Sequence, residues 1–288
     1  MPAEALTFEA RDLSRVFGQG RKQVTAVDKV SFKIKERDIV SVVGESGCGK
    51  TVLAKMLLRL EEPSSGQLLY QGQPIQQTKD KKQHWRAVQA VFQDPYGAFN
   101  QFFTIRSQLE ASFHLFEQKP SKAEIAERVD AALLNVNIRP REVDGKYPFE
   151  LSGGQMQRML LARIFILRPK VLIADEPTSM VDACSRSNIL DYLMKLKAEL
   201  DMTIVFVTHD LGLAYYISDQ IFIMHQGRIV EQGHPDQVTQ HPESEVTKTL
   251  LADIPSLHKV WIERGPRRPG NFGAPQLVAP VAGTAARR

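Results

Sequence analysis

The chain has 288 residues, 43% of them hydrophobic and 24% charged, which is the make-up of an ordinary globular protein able to bury a sizeable core. The formal charge of +4 sits in the tail: residues 264–288 carry five arginines and no acidic residue, and the rest holds 32 basic against 33 acidic groups. A neutral body argues against nucleic acid as a partner, and the tail reads either as a solvated end or as a contact for anionic lipid headgroups.

No run approaches the roughly 18 apolar residues of a membrane span. The opening MPAEALTFEARDL lacks the basic-then-apolar layout of a signal peptide, so a cytosolic chain is expected. Cys48 and Cys184 stand far apart, outside any metal or disulfide spacing.

In chain order, LTFEARDL and VSFKI alternate as strands, separated by a loop, GQGRKQ. A continuous apolar run, DIVSVVG, then feeds a Gly-rich loop and an apolar-periodic helix, TVLAKMLLRL. Pro63 and Gly66 turn the chain into a strand pair, QLLYQGQPI. Residues about 104–150 have helical periodicity without a strand and read as an insertion. After them come a helix over 153–167, a strand VLIAD, a helix near 185–200, a strand TIVFVTHD and a hairpin, IFIMHQGRIVEQG. Alternating strands and helices predict an α/β fold with a mostly parallel sheet.

Four stretches carry chemistry. Gly44-Glu45-Ser46-Gly47-Cys48-Gly49-Lys50-Thr51 fits GxxxxGK[ST] between a buried strand and a helix. Glycines let backbone N–H groups turn inward on phosphate oxygens. Lys50 is placed to reach the terminal phosphates and the Thr51 hydroxyl to ligate Mg2+. Cys48 fills a variable position. The strand 171–175 ends in Asp175 and Glu176, at the edge where parallel sheets bind ligands. Asp175 is the candidate metal-holding carboxylate and Glu176 the general base. Ser152-Gly153-Gly154-Gln155 opens a helix with a capping-box spacing, and its paired glycines leave the helix tip open to an anion. His209, ending a strand in VTHD, is on its own an ordinary loop residue.

Together these motifs resemble the nucleotide-binding subunits of ABC transporters over about residues 5–255. The resemblance implies a P-loop NTPase (RecA-like) core with an N-terminal antiparallel β subdomain and an inserted α-helical subdomain at about 96–165. It also implies an importer-type C-terminal extension at about 234–262; beyond it the composition of residues 263–288, rich in Pro, Gly, Ala and Arg, reads as a disordered basic tail. The resemblance makes the chain an ATPase that binds ATP and Mg2+. Ser152–Gln155, in LSGGQ, would act on the nucleotide of a second ABC ATPase subunit, either a paralogue or another copy. Gln93 looks like the Q-loop glutamine that contacts the metal and senses the membrane partner. His209 looks like the switch histidine at the γ-phosphate, Asp182 like the D-loop aspartate, and Phe17 like the aromatic that stacks on adenine.

QDPYGAFN and YPFELSGGQMQR further resemble the oligopeptide, dipeptide and nickel importers, some relatives of which move oligosaccharides. Gln101 for proline, Phe149 for histidine, TSMVD for TSALD and a missing tyrosine in the extension depart from that pattern. The implied partners are two transmembrane permease subunits and, indirectly, an extracytoplasmic solute-binding protein, with this chain peripheral at the cytoplasmic face. A soluble ABC ATPase of translation or DNA maintenance, and a scaffold that binds ATP without turnover, are the rival classes. One cassette without sustained heptads argues against the first. The presence of both Glu176 and His209 argues against the second.

Overall fold

A computed structural model describes residues 5–77, 80–179 and 183–252. In chain order the elements are β1 (Leu6–Phe17), β2 (Val24–Lys35), β3 (Ile39–Val43), α1 (Lys50–Leu57), β4 (Ser65–Tyr70), β5 (Gln73–Pro74), α2 (Lys81–Ala87) and β6 (Val88–Val91). Then come α3 (Ile105–Ala111), α4 (Lys122–Asn135), α5 (Gly153–Leu167), β7 (Val171–Asp175), α6 (Ala183–Leu200) and β8 (Thr203–Thr208). The chain continues through α7 (Leu211–Ile217), β9 (Gln220–His225), β10 (Arg228–Gly233), α8 (Pro235–Gln240) and α9 (Glu245–Ala252).

Two compact units divide these elements, the first made of residues 5–90, 170–176 and 197–252, the second of 91–169 and 177–196. The first unit holds two sheets. One has strand order β2-β1-β4-β5 and its resolved pairs are antiparallel; the other has order β10-β9-β3-β8-β7-β6. In the second sheet β9, β3, β8 and β7 run parallel, and β10 closes the edge as an antiparallel hairpin partner of β9. Every residue of β3, β7 and β8 is buried, which is why these strands read as unbroken apolar runs. β2 alternates buried and exposed positions along its second half, as expected of a half-covered strand. The Thr7 and Thr203 hydroxyls, 2.9 Å apart, tie β1 to β8, and Thr203 also accepts the Arg37 N–H at 2.9 Å.

The helical second unit packs Phe113, Val129, Leu133, Met156, Met159 and Leu160 out of water. α4 starts on a capping box between Ser121 and Glu124. α5 ends at Leu167 and is capped by Arg168 in a left-handed conformation at φ 48°, and Pro169 behind it cannot continue the helix.

Both N-terminal strands are longer than their alternating cores suggest, and the loop between them contains a short 3-10 turn. The short elements α2, β6, α7, α8 and α9 have no clear periodic signature, because four to eight residues hold too few apolar positions to show one. The tail over 263–288 and the extension beyond residue 252 lie outside the described residues.

His84 on α2 is 2% exposed; its Nε2–H donates to the Leu57 carbonyl at 3.0 Å and its ring meets Tyr70 edge-on. Burial disfavours the imidazolium and pushes its pKa down to about 4. Below pH ~6.5 the unfolded chain takes up a proton that the folded chain refuses until about pH 4. Stability contributed by neutral His84 is therefore complete above ~6.5 and lost as pH falls through that window. Urea titrations should show the wild type losing its advantage over His84→Leu by up to ~1.4 kcal/mol per pH unit. A pH-independent difference between the two would rule this out.

Candidate functional site

The site is built on the carboxyl ends of three neighbouring parallel strands of the first unit. Val43 of β3 stands level with Thr208 of β8, and Val207 of β8 with Asp175 of β7. The residues that follow, Gly44, His209 and Glu176, therefore leave the sheet side by side.

After β3 the chain curls through Gly44–Gly49 and enters α1 at Lys50. Gly47 and Gly49 take φ of 79° and 108°, which side-chain-bearing residues rarely adopt. A Cβ on Gly44 would lie 2.1 Å from the Met224 carbonyl oxygen, and one on Gly49 would lie 2.1 Å from that of Ala26. Backbone from two distant hairpins thus presses on the outside of the loop. Ala26 is the residue skipped in the β1–β2 register between Val27 and Thr25, a bulge that pushes its carbonyl outward. The β9–β10 turn adds a clamp: the Gly227 N–H donates to the Cys48 carbonyl at 2.9 Å, and the Asp28 N–H donates to the Gly227 carbonyl at 2.8 Å. Glu45, Ser46 and Gly47 remain exposed at the mouth.

Lys50 is 5% exposed and its ammonium donates to the carbonyls of Gly44 at 2.7 Å and Glu45 at 2.8 Å. Its charge is held at the loop by neutral carbonyls rather than by a carboxylate. The Cys48 thiol is buried at 6% exposure, and burial raises its pKa, so it behaves as an unreactive filler.

Asp175 is buried at 5% exposure. Burial pushes its carboxyl up, opposed chiefly by a hydrogen bond from the exposed Thr51 hydroxyl; the charge of Glu176 adds to the upward push, and Lys50 and Lys55 oppose it. Glu176 follows with φ 46°, a left-handed backbone unusual for a non-glycine residue, while its N–H still donates to the Val207 carbonyl at 2.9 Å. This twist ends the strand and brings the Glu176 carboxylate within 3.3 Å of the His209 Nδ1. His209 is 64% exposed and Glu176 20%, so the pair faces solvent.

A hydroxyl on Thr51 and a carboxylate on Asp175 form a hard oxygen donor set, suited to Mg2+. Among the described residues no group of three or more His, Cys, Asp or Glu could hold a metal alone.

Phe17 ends β1, partly buried rather than in the core, with the Arg15 guanidinium carbon 4.5 Å from its ring centroid. Gln93 belongs to the second unit, exposed two residues past β6. Ser152 caps α5 there: the Gln155 N–H donates to the Ser152 hydroxyl at 3.3 Å, and the Gln155 side chain accepts the Ser152 N–H at 2.9 Å. A Cβ on Gly154 would meet nothing within 4 Å. Asp182 lies outside the described residues.

The family described as ABC transporter matches residues 27–179, more than half of the chain. The chain belongs to this family. The cassette is 35% identical over 252 residues to the oligopeptide transport ATP-binding protein OppF of Escherichia coli, with 86% of this chain and 75% of that protein covered. It is 38% identical over 257 residues to the di/tripeptide transport ATP-binding protein DppF of Pseudomonas aeruginosa, covering 86% of this chain and 79% of that one. Among solved structures it resembles a dimeric post-hydrolysis state of the ATP-binding cassette MJ0796 bound to ADP and Pi, with TM-score 0.72 and 25% identity. That match covers 79% of this chain and 98% of the other.

Sequence motifs located the loop, the acidic pair and the histidine of this ABC cassette. They missed the bracing by Ala26, Met224 and Gly227, for which only the turn glycine in HQGRI offered a signal. Gly49→Ala forces both a strained φ and a 2.1 Å clash with backbone, whereas Gly47→Ala meets open space and costs only left-handed strain of ~1–2 kcal/mol. Calorimetric titration with ATP should show at least ~10-fold weaker binding for Gly49→Ala than for Gly47→Ala. Equal affinities would mean that the bracing does not shape the loop.

Proposed function

We propose that this chain is the ATP-hydrolysing subunit of an ABC importer that takes up oligopeptides or dipeptides across the cytoplasmic membrane. The convergence of Lys50, Asp175, Glu176 and His209 on one sheet edge supports the motor chemistry. The relatives named for oligopeptide and di/tripeptide transport support the cargo class. Among the described residues no helix is long and apolar enough to cross a membrane, so a pore would come from other chains. Two permease subunits, with a solute-binding protein outside the membrane, fill that role, and the cassette works at the cytoplasmic face.

The phosphates of ATP lie on the backbone of Gly44–Thr51, at the N-terminus of α1. Lys50 exchanges its two loop carbonyls for β- and γ-phosphate oxygens, a stronger charge-assisted pairing. Thr51 and Asp175 would hold Mg2+, which when bound neutralises charge on the phosphates, and the family resemblance gives Gln93 as a further contact to that ion. Glu176 takes the proton of the attacking water. His209, its Nδ1 beside Glu176, orients that water and contacts the γ-phosphate. Phe17 stacks on adenine.

The tip of α5 acts on another protomer's nucleotide. Ser152, Gly153, Gly154 and Gln155 present a hydroxyl and helix N–H groups, and the open space at Gly154 leaves room for a phosphate to approach. The Gln155 side chain and N–H are both engaged with Ser152 in the capping box, so the backbone contact falls to the N–H groups of Gly153 and Gly154. Asp182 contacts the opposing subunit. Two cassettes therefore close head to tail on two ATP molecules, and hydrolysis releases them.

Exposed aromatics of the helical unit, Phe102, Phe103 and Phe149, support a docking role for this unit toward the permease. Nickel or oligosaccharide cargo would leave the motor unchanged and would show in uptake assays with the reconstituted transporter, where peptide-dependent ATP turnover is the expected result.

Replacing Glu176 by Gln keeps the phosphate cradle and removes the base. We expect unchanged ATP affinity, kcat reduced about 10²–10⁴-fold and a closed dimer that persists in gel filtration with ATP. Wild-type turnover would exclude Glu176 as the base. Ser152→Arg should abolish hydrolysis while the isolated monomer binds ATP as before; lost monomer binding would place the α5 tip in cis.

A further inference from the structure

We propose that Arg15, clamped by Glu61, is a positioning residue that holds Phe17 as a pre-set platform for the purine base. The inference rests on the reading of Phe17 as the adenine-stacking residue and adds what makes that ring competent.

The three side chains form one stack in the first unit. The Arg15 guanidinium carbon lies 4.5 Å from the Phe17 ring centroid, and its Nη2 donates to the Glu61 Oε2 at 2.8 Å. Both partners of the ion pair are partly withdrawn from water, with side-chain exposures of 25% for Arg15 and 28% for Glu61. Glu61 is itself fixed: its N–H and that of Leu60 both donate to the Lys55 carbonyl, at 3.2 and 2.9 Å, in the turn that closes α1. The strand is pinned at the same place, with the Val16 N–H donating to the Ser64 hydroxyl at 3.0 Å and the Ser64 N–H to the Ser14 carbonyl at 2.8 Å. Arg15 and Phe17, two residues apart on β1, fall on the same face of the strand. A line of contacts therefore runs from the far end of the phosphate-loop helix, through Glu61 and Arg15, to the ring of Phe17.

A partly exposed aromatic at a strand end samples several orientations, and fixing one of them on binding costs affinity. A guanidinium against one face fixes the ring beforehand and draws charge from its π cloud, which favours stacking of an electron-rich base on the free face. The pair is half-buried, so the tripolyphosphate titration below serves as the check that each variant keeps the fold of the phosphate site. Only the base half of the nucleotide is affected. The phosphate half is bound elsewhere, by Lys50 and the loop.

The experiment is a double-mutant cycle on the full chain, titrated calorimetrically with Mg-ATP and, separately, with magnesium and inorganic tripolyphosphate, which has no base. Phe17→Ala should weaken ATP binding about 10-fold or more, and Arg15→Ala about 3–10-fold. Neither should change tripolyphosphate binding, and the double variant should bind ATP no worse than Phe17→Ala alone. Glu61→Gln, which leaves Arg15 charged but unclamped, should fall between wild type and Arg15→Ala. Unchanged ATP affinity in Arg15→Ala alongside a loss in Phe17→Ala would overturn the role of Arg15 and leave the adenine platform standing. Unchanged affinity in Phe17→Ala would overturn both. Additive losses, or a matching loss of tripolyphosphate binding in Arg15→Ala, would also reject the proposal, because Arg15 would then be acting through the fold or on the phosphates.

Discussion

β3, β8 and β7 lie in a parallel register that sets Val43 against Thr208 and Val207 against Asp175, and the catalytic geometry descends from that alignment. A slip of a single residue in either pairing would carry Gly44, Glu176 or His209 about 3.3 Å along the strand and turn its neighbour to the other face. The register is secured by burial. All three strands are covered along their whole length, so a shifted pairing would trade buried apolar groups for polar ones at their ends. The side chains of the candidate site can then sit on short, irregular backbone beyond the sheet, including the left-handed Glu176.

Charge at this edge is arranged around groups that would gain from a nucleotide. Lys50 is buried against carbonyls, and Asp175 is buried with one hydroxyl donor and a second carboxylate beside it. Neutral carbonyls rather than an anion hold the Lys50 ammonium, and burial disfavours the charge on Asp175. A triphosphate carrying a divalent cation supplies an anion for the first and a cation for the second. On the proposed reading the same event would satisfy both groups and would tie binding of the phosphates to binding of the metal.

Much of this was legible in the sequence, because the decisive motifs are contiguous. The phosphate loop, VLIAD followed by Glu176, and the capped start of α5 each declare both their residues and the turn or strand end that carries them. The helix 153–167 and the strand 171–175 stand where periodicity and the Pro169 stop put them. What supports the loop from behind was not legible. Ala26, Met224 and Gly227 meet it through backbone atoms, which leave no residue-type signature, and two of the three lie about 180 residues away in the chain. Arg15 was hidden for a different reason: an arginine two residues before a strand end reads as a solvated charge until Glu61 is known to stand beside it.

The helix tip of α5 shows how one local device can serve two ends. Ser152 and Gln155 satisfy each other's N–H groups, so the helix starts cleanly without any ligand. A capping box has no need of small residues between its two partners, and the empty space around a Cβ at Gly154 means that packing within the chain does not demand glycine there either. A tip this bare suits a ligand that must approach closely from outside. An anion held on the loop of a second cassette meets that requirement, since a helix N-terminus bare of side chains can bring its N–H groups to within hydrogen-bonding distance of phosphate oxygens. On this reasoning the open tip at Gly154 suits the proposed assembly, at a position where packing within the chain does not call for glycine.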